Sequence, residues 1–89
     1  MATFNLQGRW LDRHYEMNIV MTGGGDFNMK AITAELQQYW VAGYGEVFES
    51  GKIRGTFCHP ENPDVTVWGI VTADGRTINW DNKVVWRRR

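Results

Sequence analysis

Turn-forming residues recur along this chain between segments in which apolar and polar side chains alternate, and this pattern most constrains the fold. Asp74-Gly75 separates two segments rich in strand-forming residues, 67–71 and 77–80. Glycine in that position can take the positive φ of a tight hairpin turn. Asp81-Asn82 and Ser50-Gly51 occupy the same kind of position between alternating segments. Each of these dipeptides therefore predicts a β-hairpin.

Two longer connections are expected as well. The Gly-Gly-Gly-Asp sequence at residues 23–26 indicates a looser hairpin loop. Residues 59–64 contain Pro60 and Pro63, which have no backbone N–H to donate to a β-ladder. We therefore expect a wide connection there, which ends the strands on either side of it. Together these reversals indicate an antiparallel meander.

The alternation within each segment predicts which face is buried. Ile53, Gly55 and Phe57 fall on one face of the segment 52–57, and the residues between them are charged or polar. The other segments place the following apolar side chains on one face: Tyr15, Met17, Ile19, Met21, Phe27, Met29, Ala31, Ile78, Trp80, Val84 and Trp86. A single buried face is typical of antiparallel strands and argues against a parallel sheet.

We therefore expect an all-β fold, a single antiparallel meander that closes into a small barrel of about eight short strands. The whole chain, residues 1–89, is expected to form this one domain. Strands are expected near residues 8–12, 15–21, 27–34, 39–48, 52–57, 65–71, 77–80 and 84–88. Residues 31–39 are ambiguous, because their good helix formers also permit a short helix. Their alternation favours a strand.

Composition argues against several classes of function. Ten basic and ten acidic side chains cancel to a formal net charge of zero, so nucleic acid is not expected as the main partner. No apolar run approaches the roughly 18 residues of a membrane span, and no membrane partner is expected. Cys58 is the single cysteine, which excludes an internal disulfide. The lone cysteine and a polar start unlike a signal peptide favour an intracellular site.

The reactive side chains are too few and too scattered to predict catalysis. Cys58 and His59 are adjacent on a strand and so point to opposite faces. His14 lies in a predicted turn, where a solvated histidine is the commoner outcome. The densest set of metal-ligand residue types, which runs from Cys58 to Asp64, has no spacing typical of zinc. We therefore expect a non-enzymatic protein without a metal or another cofactor.

Gly8-x-Trp10 in the first predicted strand, the meander that follows and Trp86-Arg87 near the end resemble the signature of calycin-like barrels. That group includes lipocalins, fatty-acid-binding proteins and avidins. In it, a Gly-x-Trp opens the barrel and an arginine of the last strand packs across the tryptophan. The resemblance implies that Gly8, Trp10 and Arg87, or alternatively Arg88, close one end of the barrel through a cation–π contact.

The resemblance also implies capture of a small ligand, and this is our leading hypothesis. A small apolar or aromatic molecule would bind at the barrel mouth, with the candidate contacts Tyr39, Trp40, Tyr44 and Trp68. A second hypothesis is a lectin-like module in which an exposed aromatic ring stacks on a sugar. The candidate acceptors for the sugar hydroxyl groups are Asn79, Asp81 and Asn82.

A third hypothesis is an oligomeric interaction subunit that binds no small molecule. The segment 65–71 carries apolar side chains on both faces, so that something must cover the face that lies outside the core. A second copy of the chain could provide this cover in a homo-oligomer. The candidate contacts are Val20, Ile32, Trp68 and Ile70.

Overall fold

Eight β-strands follow one another around a closed barrel in the computed structural model, which describes residues 4–89. The strands are β1 (Gly8–Asp12), β2 (Tyr15–Gly23), β3 (Asp26–Ala31), β4 (Ala42–Val47), β5 (Lys52–His59), β6 (Asn62–Val71), β7 (Thr77–Trp80) and β8 (Val85–Arg88). A short 3₁₀ helix, Leu36–Gln38, lies between β3 and β4.

Each strand pairs antiparallel with the next, and β8 pairs with β1 to close the barrel. The closing register joins Trp10 to Arg88 and Leu11 to Arg87. A meander closes readily in this way, because hairpins keep consecutive strands adjacent and the twist of the strands curls the sheet. The predicted all-β architecture, an antiparallel barrel of eight strands, is confirmed.

The tight hairpin turns lie where the sequence predicts them, but the looser loop expected at residues 23–26 is wrong, because only Gly24 and Gly25 separate β2 from β3. Gly75, between β6 and β7, has a φ of 71°, a conformation that favours glycine. Asp81 and Asn82 lie in the turn between β7 and β8, but the residue with positive φ there is Lys83, at 73°. The side-chain oxygen of Asn82 instead accepts a hydrogen bond from the backbone N–H of Val84 at 3.2 Å, which stabilises the turn.

The expected wide connection at residues 59–64 is wrong. β5 and β6 extend up to a two-residue turn, Pro60-Glu61, and Pro63 lies inside β6. β6 pairs with β7 only at Gly69–Val71, so the first half of β6 is paired on one side only. A proline is tolerated on such an edge, because no neighbouring strand requires its missing N–H.

Residues 31–39 do not form the expected strand, and the short helix is what the structure shows. After Ala31 the chain turns, and the backbone N–H of Leu36 donates to the carbonyl of Thr33 at 3.0 Å. The N–H of Tyr39 donates in turn to the carbonyl of Leu36 at 2.9 Å. Leu36 is buried against the core at the end of the barrel. This tertiary burial outweighs the local alternation of the segment.

Most of the barrel core comes from inward-facing side chains that the alternation predicts, and Leu6, Leu36, Trp40 and Val47 join it. The buried core consists of Leu6, Trp10, Met17, Ile19, Phe27, Met29, Ala31, Leu36, Trp40, Val47, Ile53, Val71, Ile78, Trp80 and Trp86. A Cβ on Gly45 would collide with the carbonyl oxygen of Arg54 and lie 2.5 Å from Phe27 Cζ. A Cβ on Gly55 would lie 2.8 Å from Trp80 Cη2. These two glycines therefore make room for large rings in a narrow barrel.

Candidate functional site

One end of the barrel is closed by the segment before β1 together with the end of β8. Trp10 is fully buried, and its Nε1 donates a hydrogen bond to the carbonyl of Leu6 at 2.8 Å. The guanidinium of Arg88 lies over the Trp10 ring, with Cζ 4.6 Å from the ring centroid. The same guanidinium donates to the carbonyl oxygens of Gln7, at 2.8 Å, and of Asn5. Arg88 thus connects the end of β8 to the segment before β1, over the Trp10 ring.

The arginine that packs across Trp10 is Arg88 and not Arg87. Arg88 pairs with Trp10 and shares its face of the sheet, whereas Arg87 is exposed on the other face. The alternation of side chains along a strand predicts this choice of arginine, because Arg88 lies two residues after the buried Trp86 and therefore shares its face. Gly8, the other predicted member of this group, has a φ of 126° at the start of β1.

The opposite end of the barrel holds a cavity of about 460 Å³, which we call the mouth cavity. It is lined by Asp12, Arg13, Tyr15, Met17, Leu36, Tyr39, Trp40, Phe57, Trp80, Asn82, Val84 and Trp86. Strands β1, β2, β5, β7 and β8, the 3₁₀ helix with the two residues after it, and the β1–β2 and β7–β8 turns contribute these residues. The volume lies within the roughly 300–1,000 Å³ that is usual for small-molecule sites.

Four aromatic rings form the wall of the mouth cavity. Trp40 stacks on Trp86 with ring centroids 6.0 Å apart and planes inclined by 14°. Phe57 meets Trp40 edge-on at 5.0 Å and Trp80 edge-on at 5.5 Å. Trp80 also packs edge-on against Trp86 at 5.2 Å. These are the offset and edge-to-face arrangements that aromatic rings prefer. The rings give the cavity a rigid apolar surface.

Polar side chains surround the entrance of the mouth cavity. Asp12 and Arg13 contribute one negative and one positive charge next to the β1–β2 turn, and Asn82 lies in the turn between β7 and β8. Tyr39 also lines the cavity and is 61% exposed. The site therefore combines an apolar wall with a polar rim of no net charge, an arrangement that can bind an uncharged, mainly apolar molecule.

The structure separates the four contact residues predicted from the sequence into two pairs. Tyr39 and Trp40 both line the mouth cavity. Tyr44 and Trp68 lie elsewhere, with exposed side chains on the outer face of β4 and β6. The four predicted residues therefore do not form one site.

Tyr44 borders a shallow groove of about 580 Å³ on the outer surface of β3 to β6. Thr56 and Thr66 lie in this groove and join their hydroxyl oxygens in a hydrogen bond of 2.9 Å. Arg54 and Glu46, also in the groove, form an ion pair of 3.2 Å. These four side chains thus pair with each other across β4, β5 and β6.

Trp68 belongs to an exposed apolar patch on β6. Its ring stacks on Phe48 with centroids 6.3 Å apart, and the Lys52 ammonium lies 4.7 Å from the ring centroid. Ile70 and Val65 on the same strand are 59% and 56% exposed. Val20 and Ile32 are exposed as well, but they lie on β2 and directly after β3.

The sequence did not identify most of the mouth cavity. Phe57, Trp80 and Trp86 were expected as core residues, and the structure shows that they face the cavity as well as the core. Leu36 was expected in a strand and instead reaches the cavity from the 3₁₀ helix. Alternation identifies an inward side chain but does not distinguish a filled interior from a cavity, so the sequence carried no signal for this distinction.

The three candidate sugar ligands lie around the end of β7. Asn79 and Asp81 are exposed, and Asn82 reaches the rim of the mouth cavity. The side-chain oxygen of Asn82 already accepts the hydrogen bond from Val84 N. Asn82 can therefore offer a ligand its amide N–H groups more readily than this oxygen.

The side chains considered for catalysis do not converge. Burial raises the pKa of the Cys58 thiol, and Asp64 raises it further through a hydrogen bond and its charge. His59 Nδ1 accepts a hydrogen bond from the backbone N–H of Glu61 at 3.1 Å, and His14 lies apart in the β1–β2 turn. Within residues 4–89, no group of three or more metal-ligating side chains could hold an ion.

Comparison of the chain with protein-family models, with curated proteins and with solved structures found no match. No helix among residues 4–89 has both the length and the apolar character required to cross a membrane.

Proposed function

We propose that this protein is a non-enzymatic binding module that holds a small apolar or aromatic molecule in the mouth cavity. The observation that carries the proposal is the wall formed by Trp40, Phe57, Trp80 and Trp86 around a space of about 460 Å³. Aromatic rings bury a large area on contact and favour flat partners. A ligand of roughly ten heavy atoms would fit well into such a space.

The calycin-like resemblance supports the same proposal. Trp10 under Arg88, together with Gly8 at the start of β1, closes one end of the barrel, and the mouth cavity lies at the other end. We propose that the chain is a small barrel of the calycin type. In such a barrel a closed end gives rigidity and an open end admits the ligand.

The expected affinity follows from the size of the ligand. A ligand of about ten heavy atoms that gains roughly 0.6 kcal/mol per atom binds with about −6 kcal/mol. This free energy corresponds to a Kd of some tens of micromolar. Naphthalene is a suitable probe, because it has the shape and apolar character that the aromatic wall favours.

The test combines native mass spectrometry with calorimetry. The mass spectrum of the purified protein reports any small molecule that remains bound, and titration with naphthalene reports the affinity directly. Val84→Phe enlarges a side chain of the cavity wall, so we expect it to weaken naphthalene binding at least tenfold, about 1.4 kcal/mol. The matched control is Val85→Phe, because Val85 does not line the cavity.

Wild-type protein that binds naphthalene no better than the Val84→Phe variant would contradict the proposal. Equal weakening by Val84→Phe and Val85→Phe would also contradict it, because only the first change reduces the cavity. Both variants must retain the far-UV circular dichroism of the wild type for the comparison to hold.

A second candidate function is an interaction subunit. The patch around Trp68 favours it, because Ile70 lies two residues along β6 on the same outward face and is 59% exposed. Exposed apolar patches of this kind often mark protein contacts. The same mass spectra decide between the two candidates. A dimer that Trp68→Ser dissociates would support the interaction subunit, and a monomer that carries added mass would support the binding module.

A further inference from the structure

The shallow groove on the outer surface of β3 to β6, which we call the outer groove, runs between two rows of side chains that cross the strands. One row carries charged side chains at directly opposite positions of three adjacent strands, namely Asp26, Glu46 and Arg54. The other row, two residues away along each strand, carries neutral side chains, namely Asn28, Tyr44, Thr56 and Thr66. The outer groove therefore has one charged wall and one neutral polar wall.

The floor of the outer groove is formed by the residues between the two rows. Phe27 follows Asp26 on β3, and its side chain points into the core, where it is 1% exposed. Gly45, its partner on β4, has no side chain, and a Cβ there would point inward, 2.5 Å from Phe27 Cζ. Because side chains alternate along a strand, the rows on both sides of this floor point to solvent. The floor is therefore bare backbone, which leaves room for a ligand between the rows.

The charged wall contains an arrangement that is unfavourable for folding. Asp26 and Glu46 are directly opposite each other in the register, and like charges in such positions destabilise a sheet. The ion pair of 3.2 Å joins Arg54 to Glu46, so it offsets the charge of Glu46 and not that of Asp26. Asp26 is exposed, and an ionised carboxylate is a strong acceptor for hydroxyl groups. The charged wall thus offers an acceptor to a ligand at the expense of stability.

Tyr44 supplies an aromatic surface in the middle of the neutral wall. Its side chain is 53% exposed. Asn28 lies opposite Tyr44 on β3 and has an amide that both donates and accepts hydrogen bonds, and Thr56 lies opposite it on β5 with a hydroxyl group. Sugars need this combination, because the C–H groups of a sugar ring pack on an aromatic ring while its hydroxyl groups require polar partners at the edge.

The length of the outer groove suits a short chain of sugars. From β3 to β6 the groove crosses four strands, and neighbouring strands lie about 4.8 Å apart, so the rows span about 14 Å. One sugar unit of an extended oligosaccharide is about as long as one spacing between strands. A chain of about three or four units therefore places hydroxyl groups beside the polar side chains of successive strands.

We propose that the outer groove is a second binding site, which takes an uncharged oligosaccharide in an extended conformation. One sugar ring packs on Tyr44, and Asp26 and Asn28 bind hydroxyl groups of the neighbouring units. Two carboxylates and one guanidinium give the groove a net negative charge, which disfavours acidic sugars. The outer groove is separate from the mouth cavity, so this inference goes beyond the proposed function and does not depend on it.

The first test is a titration of the wild-type protein with cellotetraose, xylotetraose and N-acetylated chitotetraose, which are extended and uncharged, followed in ¹⁵N–¹H spectra. At least one of them should shift the backbone resonances of Asn28, Tyr44 and Thr56 at millimolar concentration. The indole N–H of Trp86, in the mouth cavity, should not move. Absence of shifts with all three, or shifts confined to the mouth cavity, would overturn the inference. Naphthalene binding without oligosaccharide binding would overturn it as well, and would still support the proposed function.

Tyr44→Ala should weaken binding of the oligosaccharide that shifts these resonances by about two- to tenfold, the usual contribution of one aromatic contact. Tyr39→Ala is the matched control, because Tyr39 is a tyrosine of similar exposure that lines the mouth cavity instead. The control should leave oligosaccharide binding unchanged. Equal weakening by the two variants would overturn the inference.

Asp26→Asn tests the charged wall with a readout that loss of the fold does not imitate. The change keeps the shape of the side chain and removes the like charge opposite Glu46, so the Tm should equal or exceed that of the wild type. Oligosaccharide binding should nevertheless weaken about threefold or more, because a neutral amide accepts a hydroxyl donor less strongly than a carboxylate. Unchanged binding, or weaker binding together with a lower Tm, would overturn the inference.

Discussion

Removal of the Arg88 side chain tests how the closed end of the barrel is held together. Arg88→Ala deletes the cation–π contact with Trp10 at 4.6 Å and two hydrogen bonds, to the carbonyls of Gln7 and Asn5. The cation–π contact is worth about 0.5–1 kcal/mol at an exposed site. Each hydrogen bond contributes about 1 kcal/mol net. The expected loss is therefore about 2–3 kcal/mol.

Thermal unfolding, followed by circular dichroism, measures this loss. For a domain of this size, 1 kcal/mol corresponds to a shift in Tm of about 4–8 °C, so Arg88→Ala should lower the Tm by about 10–20 °C. Arg88→Lys should have an intermediate effect, because it keeps the charge and loses the planar fork that reaches two carbonyls.

Arg87→Ala is the matched control for this experiment. Arg87 is adjacent, carries the same charge and is exposed on the outer face of β8, so its removal should change stability by less than about 0.5 kcal/mol. Equal shifts in Tm for the two alanine variants would contradict this prediction, because the loss would then reflect the removal of a positive charge rather than of the contact with Trp10.

Three further predictions concern packing and ionisation. Gly45→Ala should destabilise the fold by more than about 3 kcal/mol, measured by urea unfolding, because its Cβ has no space on the inner face of the barrel. A hydrogen bond from Arg9 and the charge of Arg89 lower the pKa of Glu16 in the folded state. The ionised Glu16 carboxylate therefore stabilises the fold at neutral pH, and this stabilisation is lost as the pH falls through the lowered pKa. Melting curves should therefore show stability falling below about pH 5, with a smaller fall in Glu16→Gln. The raised pKa of Cys58 predicts slower alkylation at pH 8 than in the unfolded chain, and Asp64→Asn should accelerate it.

Local turn chemistry and alternation predicted the fold well, because both act over a few residues. Asp74-Gly75 needs only its own backbone conformation to reverse the chain, and the hairpin forms there. The segment of Ile53, Gly55 and Phe57 needs only the period-2 rule to place its apolar face inward, and those residues do face the core. In a meander each strand pairs with the next strand along the chain, so no distant pairing partner has to be predicted.

The predictions from the sequence were wrong or incomplete where contacts between distant parts of the chain determine the structure. Leu36 packs against the core at the end of the barrel, and because of this burial the alternating segment forms a 3₁₀ helix rather than a strand. The mouth cavity depends on the angles at which Trp40, Phe57 and Trp86 meet, and these angles arise only once the barrel closes. Pro63 lies in a strand because the edge of β6 beside it is free, which the sequence does not reveal.

Binding at the mouth cavity is tested most directly by a ¹⁵N–¹H spectrum recorded during titration with naphthalene. We expect the largest shifts at residues of the mouth cavity, among them the indole N–H groups of Trp40, Trp80 and Trp86. The N–H of Trp68 and the backbone of Tyr44, on the outer face, should not move. Shifts confined to the outer face, or no shifts at saturating naphthalene, would contradict the claim that this barrel binds its ligand at the mouth.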